Sequence, residues 1–108
     1  MPHYMLQFAY TAEAWAALAS NPTDRSAAIS ALAQKLGGRL VNLYFTMGEY
    51  DGVVIIEAPD DTTAMAMVLA AVAPGHLRTT RTARLIPPSE AVEAMRKAQG
   101  AGYEAPRR

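Results

Sequence analysis

Residues 39–61, RLVNLYFTMGEYDGVVIIEAPDD, constrain the fold more than any other stretch of the chain. Val41, Leu43 and Phe45 alternate with Asn42, Tyr44 and Thr46, the period-two pattern of a strand with two unlike faces. Val53, Val54, Ile55 and Ile56 form a short β-branched run that suits a central strand covered on both sides. Between them, Met47-Gly48-Glu49-Tyr50-Asp51-Gly52 holds two glycines and an aspartate, residue types that accept the positive φ angles a tight hairpin demands. The chain therefore has a β-hairpin at its centre, and the flanking segments must supply what packs on it.

On the N-terminal side, residues 3–10 alternate again, with Tyr4, Leu6, Phe8 and Tyr10 on one face and His3, Met5, Gln7 and Ala9 on the other. They read as a first strand. Thr11 is an expected N-cap, Glu13 suits a first helical turn, and Trp15 and Leu18 are expected to face inward. Asn21-Pro22 interrupts this helix and restarts it, because Asn caps well and Pro is favoured at the first helical position. Ile29, Leu32, Ala33 and Leu36 then form one apolar stripe, which Gly37-Gly38 ends. On the C-terminal side, Pro59 and Asp60 open a helix whose Met65, Val68, Leu69 and Val72 form the expected inward stripe. Pro74-Gly75 stops it, and the threonine-rich segment His76–Leu85 reads as the last strand. After Pro87-Pro88, Ser89 is expected to cap a further helix with Glu93 and Lys97 at i, i+4 and with Val92 and Met95 docked on the body.

The order β-α-β-β-α-β places two βαβ units around a shared hairpin. That is the ferredoxin-like plait, an α+β fold with a four-stranded antiparallel sheet, both helices on one face and an appended C-terminal helix. One domain is expected over residues 1–99, followed by a flexible tail over 100–108. If Leu6, Phe8, Val41, Leu43, Phe45, Leu77 and Leu85 face the helices, the open face holds His3, Met5, Gln7, Asn42, Tyr44, Arg78, Thr80 and Thr82, with Val53, Ile55 and Glu57 added by the third strand. Such a mixed face suits neither free solvent nor a plain core. Burying it against a second copy about a two-fold axis gives a dimeric α+β barrel with a partly polar interior.

Composition sets the exclusions. The 108 residues carry ten basic and ten acidic side chains, so no net charge draws the chain to nucleic acid or to an anionic membrane. Without cysteine there is no disulfide, thiol nucleophile or cysteine metal site, and the two histidines are far apart in sequence. The N-terminus lacks the features of a signal peptide, and no run of about 18 apolar residues occurs. The expectation is a cytoplasmic protein with no cofactor, no metal, no nucleic-acid partner and no membrane partner.

Gly37-Gly38-Arg39-Leu40, Met47-Gly48-Glu49-Tyr50-Asp51 and Val53 to Asp61 together resemble the GYD-domain family, small bacterial proteins named for a Gly-x-Tyr-Asp signature. Here the signature is Gly48, Tyr50 and Asp51, and the resemblance runs from about Tyr4 to the end of the last strand. It implies the ferredoxin-like fold and the dimeric barrel. It supplies no settled activity and no catalytic residues to carry over, and barrels of this kind serve many unrelated functions.

The candidate residues each have two readings. Tyr50 and Asp51 form a ligand-binding rim, or Asp51 accepts from N–H groups of its own turn while Tyr50 packs on a neighbour. Arg78 holds a ligand carboxylate or phosphate, or it forms a salt bridge with Glu57 or across a dimer. Arg78 and Arg84 are expected on one face of the strand and Arg81 on the other. His3 and His76 begin strands one and four, taken as the two edges of the sheet, so no shared metal or acid–base pair is expected between them. Either can serve alone as a general base. Trp15, Met65 and Met67 read as core, and Asp60-Asp61 as the start of a helix.

Two functions follow. One is a homodimer with a small-molecule cavity between its sheets, lined by His3, Gln7, Asn42, Tyr44 and Arg78, serving an enzyme or a ligand sensor. The other is a non-catalytic structural or protein-interaction module whose open sheet face is only the interface of a dimer or a higher oligomer.

Overall fold

A computed structural model describes residues 1–106. The elements run β1 (His3–Tyr10), α1 (Ala12–Ser20), α2 (Ser26–Lys35), β2 (Arg39–Phe45), β3 (Gly52–Glu57), α3 (Asp61–Val72), β4 (Leu77–Leu85) and α4 (Pro88–Gln99). The four strands form one antiparallel sheet in the order β2-β3-β1-β4. With α1, α2 and α3 on one side of the sheet, this α+β architecture is consistent with the ferredoxin-like plait.

The sheet order corrects one expectation. β1 is an inner strand hydrogen-bonded to β4, and the outer strands are β2 and β4. His3 and His76 are kept apart by antiparallel pairing: His3 faces Leu85, while His76 precedes Leu77, which faces Tyr10 at the other end of β1.

Local chemistry explains most boundaries. The Thr11 hydroxyl accepts from the Ala14 N–H at 3.1 Å to start α1, and the Asp60 carboxylate accepts from the Thr63 N–H at 2.8 Å to start α3. These hydrogen bonds to the charged form hold the Asp60 carboxyl below its ordinary range. The helix restart differs from expectation. Residues 21–25 are not helical, and α2 begins at Ser26, whose N–H is held by Asp24 at 2.9 Å. Asp24 thus satisfies the opening of α2 where Asn21-Pro22 was expected to. α4 begins at Pro88 instead of being capped by Ser89, and Glu93 pairs with Arg96 instead of Lys97. Val92 and Met95 stay exposed, Met95 at 65%, so the face of α4 that carries them is not docked on this chain.

The core lies between the sheet and its helices: Tyr4, Phe8, Tyr10, Val54 and Ile56 from the strands, Ala33 from α2, and Ala64 and Met67 from α3. The buried Tyr4 hydroxyl donates to the Asp61 carboxylate, tying β1 to α3. That bond raises the pKa of Tyr4, with burial adding to it. Gly52 is buried against the Phe8 ring, where an added Cβ would collide, so the position requires glycine. α3 turns differently from expectation. Ala64, Met67, Val68 and Ala71 face the core, while Met65 is 62% and Leu69 55% exposed. The helix is apolar on nearly every side, and the small Ala64 lets it approach the sheet closely. Trp15 is also 41% exposed, whereas Met67 and Leu18 pack in the core region as expected.

Two bulges reset the faces of the outer strands. In β2 the register shifts between Leu40 and Asn42, so Leu40 faces Ile56 on the helix side and Val41 is the extra residue. In β4 the shift opposite Ala9 and Tyr10 makes Arg78 the extra residue. Beyond it Thr80, Thr82 and Arg84 lie on the helix side with Phe8, Leu6 and Tyr4, while Arg81, Ala83 and Leu85 lie on the open side. The expectation for Thr80, Thr82 and Leu85 is therefore inverted, because one inserted residue exchanges the two faces of everything after it.

Candidate functional site

The open face is built from cross-strand rows. Tyr44, Val53, Gln7 and Arg81 form one row; Asn42, Ile55, Met5 and Ala83 a second; Arg39, Glu57, His3 and Leu85 a third. Its centre is aliphatic and its ends are polar. In the third row the Arg39 guanidinium grips Glu57 with two 3.1 Å hydrogen bonds, and His3 Nε2 lies 3.3 Å from the same carboxylate. The Arg39 hydrogen bonds hold the Glu57 carboxyl below its usual value. His3 is thus brought to an ion pair, Gln7 lies across β3 from Tyr44, and Asn42 and Tyr44 stand on the outer strand, Tyr44 59% exposed.

The remaining candidates lie at the hairpin turn. Gly48 has φ 146°, so the glycine of the signature occupies backbone space that other residues rarely enter. The Asp51 carboxylate accepts from the Tyr10 N–H at 2.8 Å and from the Trp15 indole N–H at 3.0 Å. Its own N–H donates to the Phe8 carbonyl at 2.8 Å, and its carbonyl accepts from the Thr46 N–H at 2.8 Å. The Asp51 carboxylate therefore serves β1 and α1 and not the N–H groups of its own turn, and it fastens the turn to both elements. The Tyr50 carbonyl accepts from the Thr46 hydroxyl at 2.7 Å. Arg78 donates to the Glu49 carbonyl at 3.1 Å, and the expected bridge to Glu57 is absent because Arg78 lies beside the Ala9–Tyr10 end of β1 while Glu57 pairs with His3 at the other end. The seven candidates thus do not converge on one point within the chain.

Around Asp51 an aromatic cluster forms on the helix side. The Tyr10 and Trp15 rings meet edge to face at 5.1 Å, Phe8 and Tyr10 at 5.3 Å, and Phe45 stacks on Tyr10 at 6.5 Å. His76 lies 6.3 Å from Tyr10. Beside this cluster, between the sheet and the helices α2 and α3, is a cavity of about 270 Å³. Its floor is Leu6, Phe8, Val54 and Ile56; its walls are Ile29 and Leu32 from α2 and Met67, Val68 and Ala71 from α3. Arg25, Tyr10, His76 and Thr80 supply its polar groups. Burial pushes the Tyr10 phenol above its ordinary pKa, with the neighbouring Arg25 guanidinium acting against that shift.

Sequence reasoning missed this arrangement. Tyr10 read as a strand residue, His76 as a strand start and Arg25 as part of the helix restarted at Asn21-Pro22; only the tertiary fold brings them to one cavity edge. Among the described residues no group of three His, Asp or Glu side chains is placed to hold a metal ion, and no helix is long and apolar enough to cross a membrane.

No curated protein sequence is significantly similar to the chain. Several solved structures share its fold, among them the following three. MtbAldR matches at TM-score 0.59 and 14% identity over 80% of this chain, which spans only 53% of that protein. TTHA0845 from Thermus thermophilus matches at TM-score 0.52 and 15% identity, covering 81% of this chain and 95% of the other. FFRP-DM1 matches at TM-score 0.50 and 16% identity, covering 80% and 100%. At such identities the likeness is one of fold alone. A family model matches residues 4–95, from the first strand into α4, and by that match the chain belongs to the GYD domain family.

Proposed function

We propose that this protein is a homodimeric small-molecule-binding protein that holds its ligand in the cavity between the sheet and the helices α2 and α3. The observation that carries this reading is the cavity itself: about 270 Å³ with apolar walls and polar groups gathered at one side, the make-up of a ligand pocket. The cavity opens to solvent at one side, so an apolar molecule seated in it would take hydrocarbon wall out of water, at about 25 cal/mol per Å² of apolar surface covered.

The dimer is supported by the aliphatic centre of the open face, Met5, Val53 and Ile55 ringed by polar residues, which a second copy would cover. In this reading His3, Asn42 and Tyr44 belong to the interface. A second reading keeps a ligand site between the paired sheets, at the row of Tyr44, Gln7 and Arg81. It is favoured by Arg81, which has no carboxylate partner among the described residues. The structural or interaction module would leave both spaces empty.

Native mass spectrometry of protein purified from its own host tests these together. A dimer carrying extra mass is expected, with the mass retained by a Tyr44→Ala variant and lost when Ala71 is enlarged to Leu. Mass lost from Tyr44→Ala but kept by Ala71→Leu would place the ligand between the sheets instead. A monomer would refute the barrel, and an empty dimer would favour the interaction module.

A further inference from the structure

The chemistry at the cavity's edge narrows what such a ligand is, on the reading that the cavity binds one. Its interior walls are hydrocarbon, and the polar side chains at its edge come from one side: Arg25 just ahead of α2, Tyr10 at the end of β1 and His76 just ahead of β4. Arg39 and Arg96 have carboxylate partners, but Arg25, partly buried, has none among the described residues. Asp51, whose Oδ2 accepts from the Tyr10 N–H and the Trp15 indole N–H, forms no ion pair with Arg25. Arg25 and Tyr10 line the same edge of the cavity, and burial pushes the Tyr10 phenol above its ordinary pKa, so that it stays a donor. A partly buried guanidinium with no counter-ion, next to a phenol donor at the rim of an apolar cavity, is a receptor for one anionic group.

We infer that the ligand is an apolar molecule carrying a single carboxylate, its body between α2 and α3 and its carboxylate on Arg25 and Tyr10. A phosphate dianion would bring a second charge to an edge that offers one guanidinium. Size bounds the body: a cavity of about 150 Å³ accepts benzene. The volume of about 270 Å³ suits two fused rings or a chain of similar bulk.

Titration calorimetry on protein stripped of bound molecules, with three probes of one shape, tests this. The probes are 2-naphthoate, neutral 2-naphthamide and cationic 2-naphthylmethylammonium. The naphthoate is expected to bind at least about tenfold more tightly than the amide, the scale of one charge-assisted hydrogen bond, with the ammonium weakest. Arg25→Gln should erase that preference while keeping the amide's affinity, which also shows that the variant is folded with its cavity intact. Equal binding of naphthoate and amide to the natural protein, or a preference that survives Arg25→Gln, would overturn the carboxylate assignment and leave the cavity reading standing. Binding of none of the three would overturn both.

Discussion

Enlarging Ala71 to Leu puts the cavity to a direct energetic test. Ala71 lies on the inward stripe of α3 with Met67 and Val68 and lines the cavity. The substitution adds three carbons, and at about 0.8 kcal/mol per buried methylene the gain is at most about 2.4 kcal/mol. Fixing the new side chain costs about 0.5–1 kcal/mol. The net expectation is a stabilisation of about 1.5 kcal/mol. For a chain of this length, 1 kcal/mol corresponds to about 4–8 °C, so Tm should rise by about 6–12 °C. Urea unfolding of ligand-stripped protein, compared at one fixed protein concentration, reads the same quantity with m unchanged. A well-packed site would respond the other way, losing about 1–3 kcal/mol to overpacking. Destabilisation of that size would show that α2 and α3 close on the sheet and would remove the basis for a ligand there.

Two further outcomes follow from the hydrogen bonds. Asp51→Ala strips the acceptor from the Tyr10 N–H and the Trp15 indole; with hydrogen bonds to charged groups worth about 1.5–3 kcal/mol, chemical denaturation should show a loss of about 3 kcal/mol. An unchanged midpoint would return Asp51 to the list of ligand-binding residues. Glu57 is held below its ordinary pKa by Arg39, so its contribution is complete above the unfolded carboxyl value, near 4.3, and is lost as pH falls through the lower folded value. The stability difference between the natural protein and Glu57→Gln should therefore be constant above about pH 5 and shrink on further acidification. A difference that stays constant down to pH 2 would contradict the ion pair.

The sequence was most legible where neighbouring residues determine the outcome. The hairpin, the alternation of β1, the Thr11 cap and the stop at Gly37-Gly38 all depend on adjacent side chains, and the GYD resemblance rests on such a contiguous run. It was least legible where tertiary packing chooses between local equivalents. α3 offers two apolar stripes, and periodicity cannot tell Met65-Leu69-Val72 from Ala64-Met67-Ala71. In β4 no residue announces the bulge at Arg78, yet that one insertion sends Thr80 and Thr82 to the helix side. Ala64, Ala71 and Ala28 are small enough for close helix packing, but whether they fill space or leave it depends on how α2 and α3 lie. The cavity and its edge at Arg25, Tyr10 and His76 were for that reason invisible, while Asp51 was noticed for its place in a signature and turned out to tie elements together.

The two bulges also decide how such molecules can meet. β2 and β4 are the outer strands, and each carries an extra residue, Val41 in one and Arg78 in the other, that breaks the run of free N–H and C=O groups a foreign strand would need. Basic side chains at Arg39, Arg81 and Arg84 add a cost to lateral stacking of like copies. Both borders of the sheet are thereby made poor templates for amyloid-like growth, and the irregular strands work against open-ended polymerisation through them.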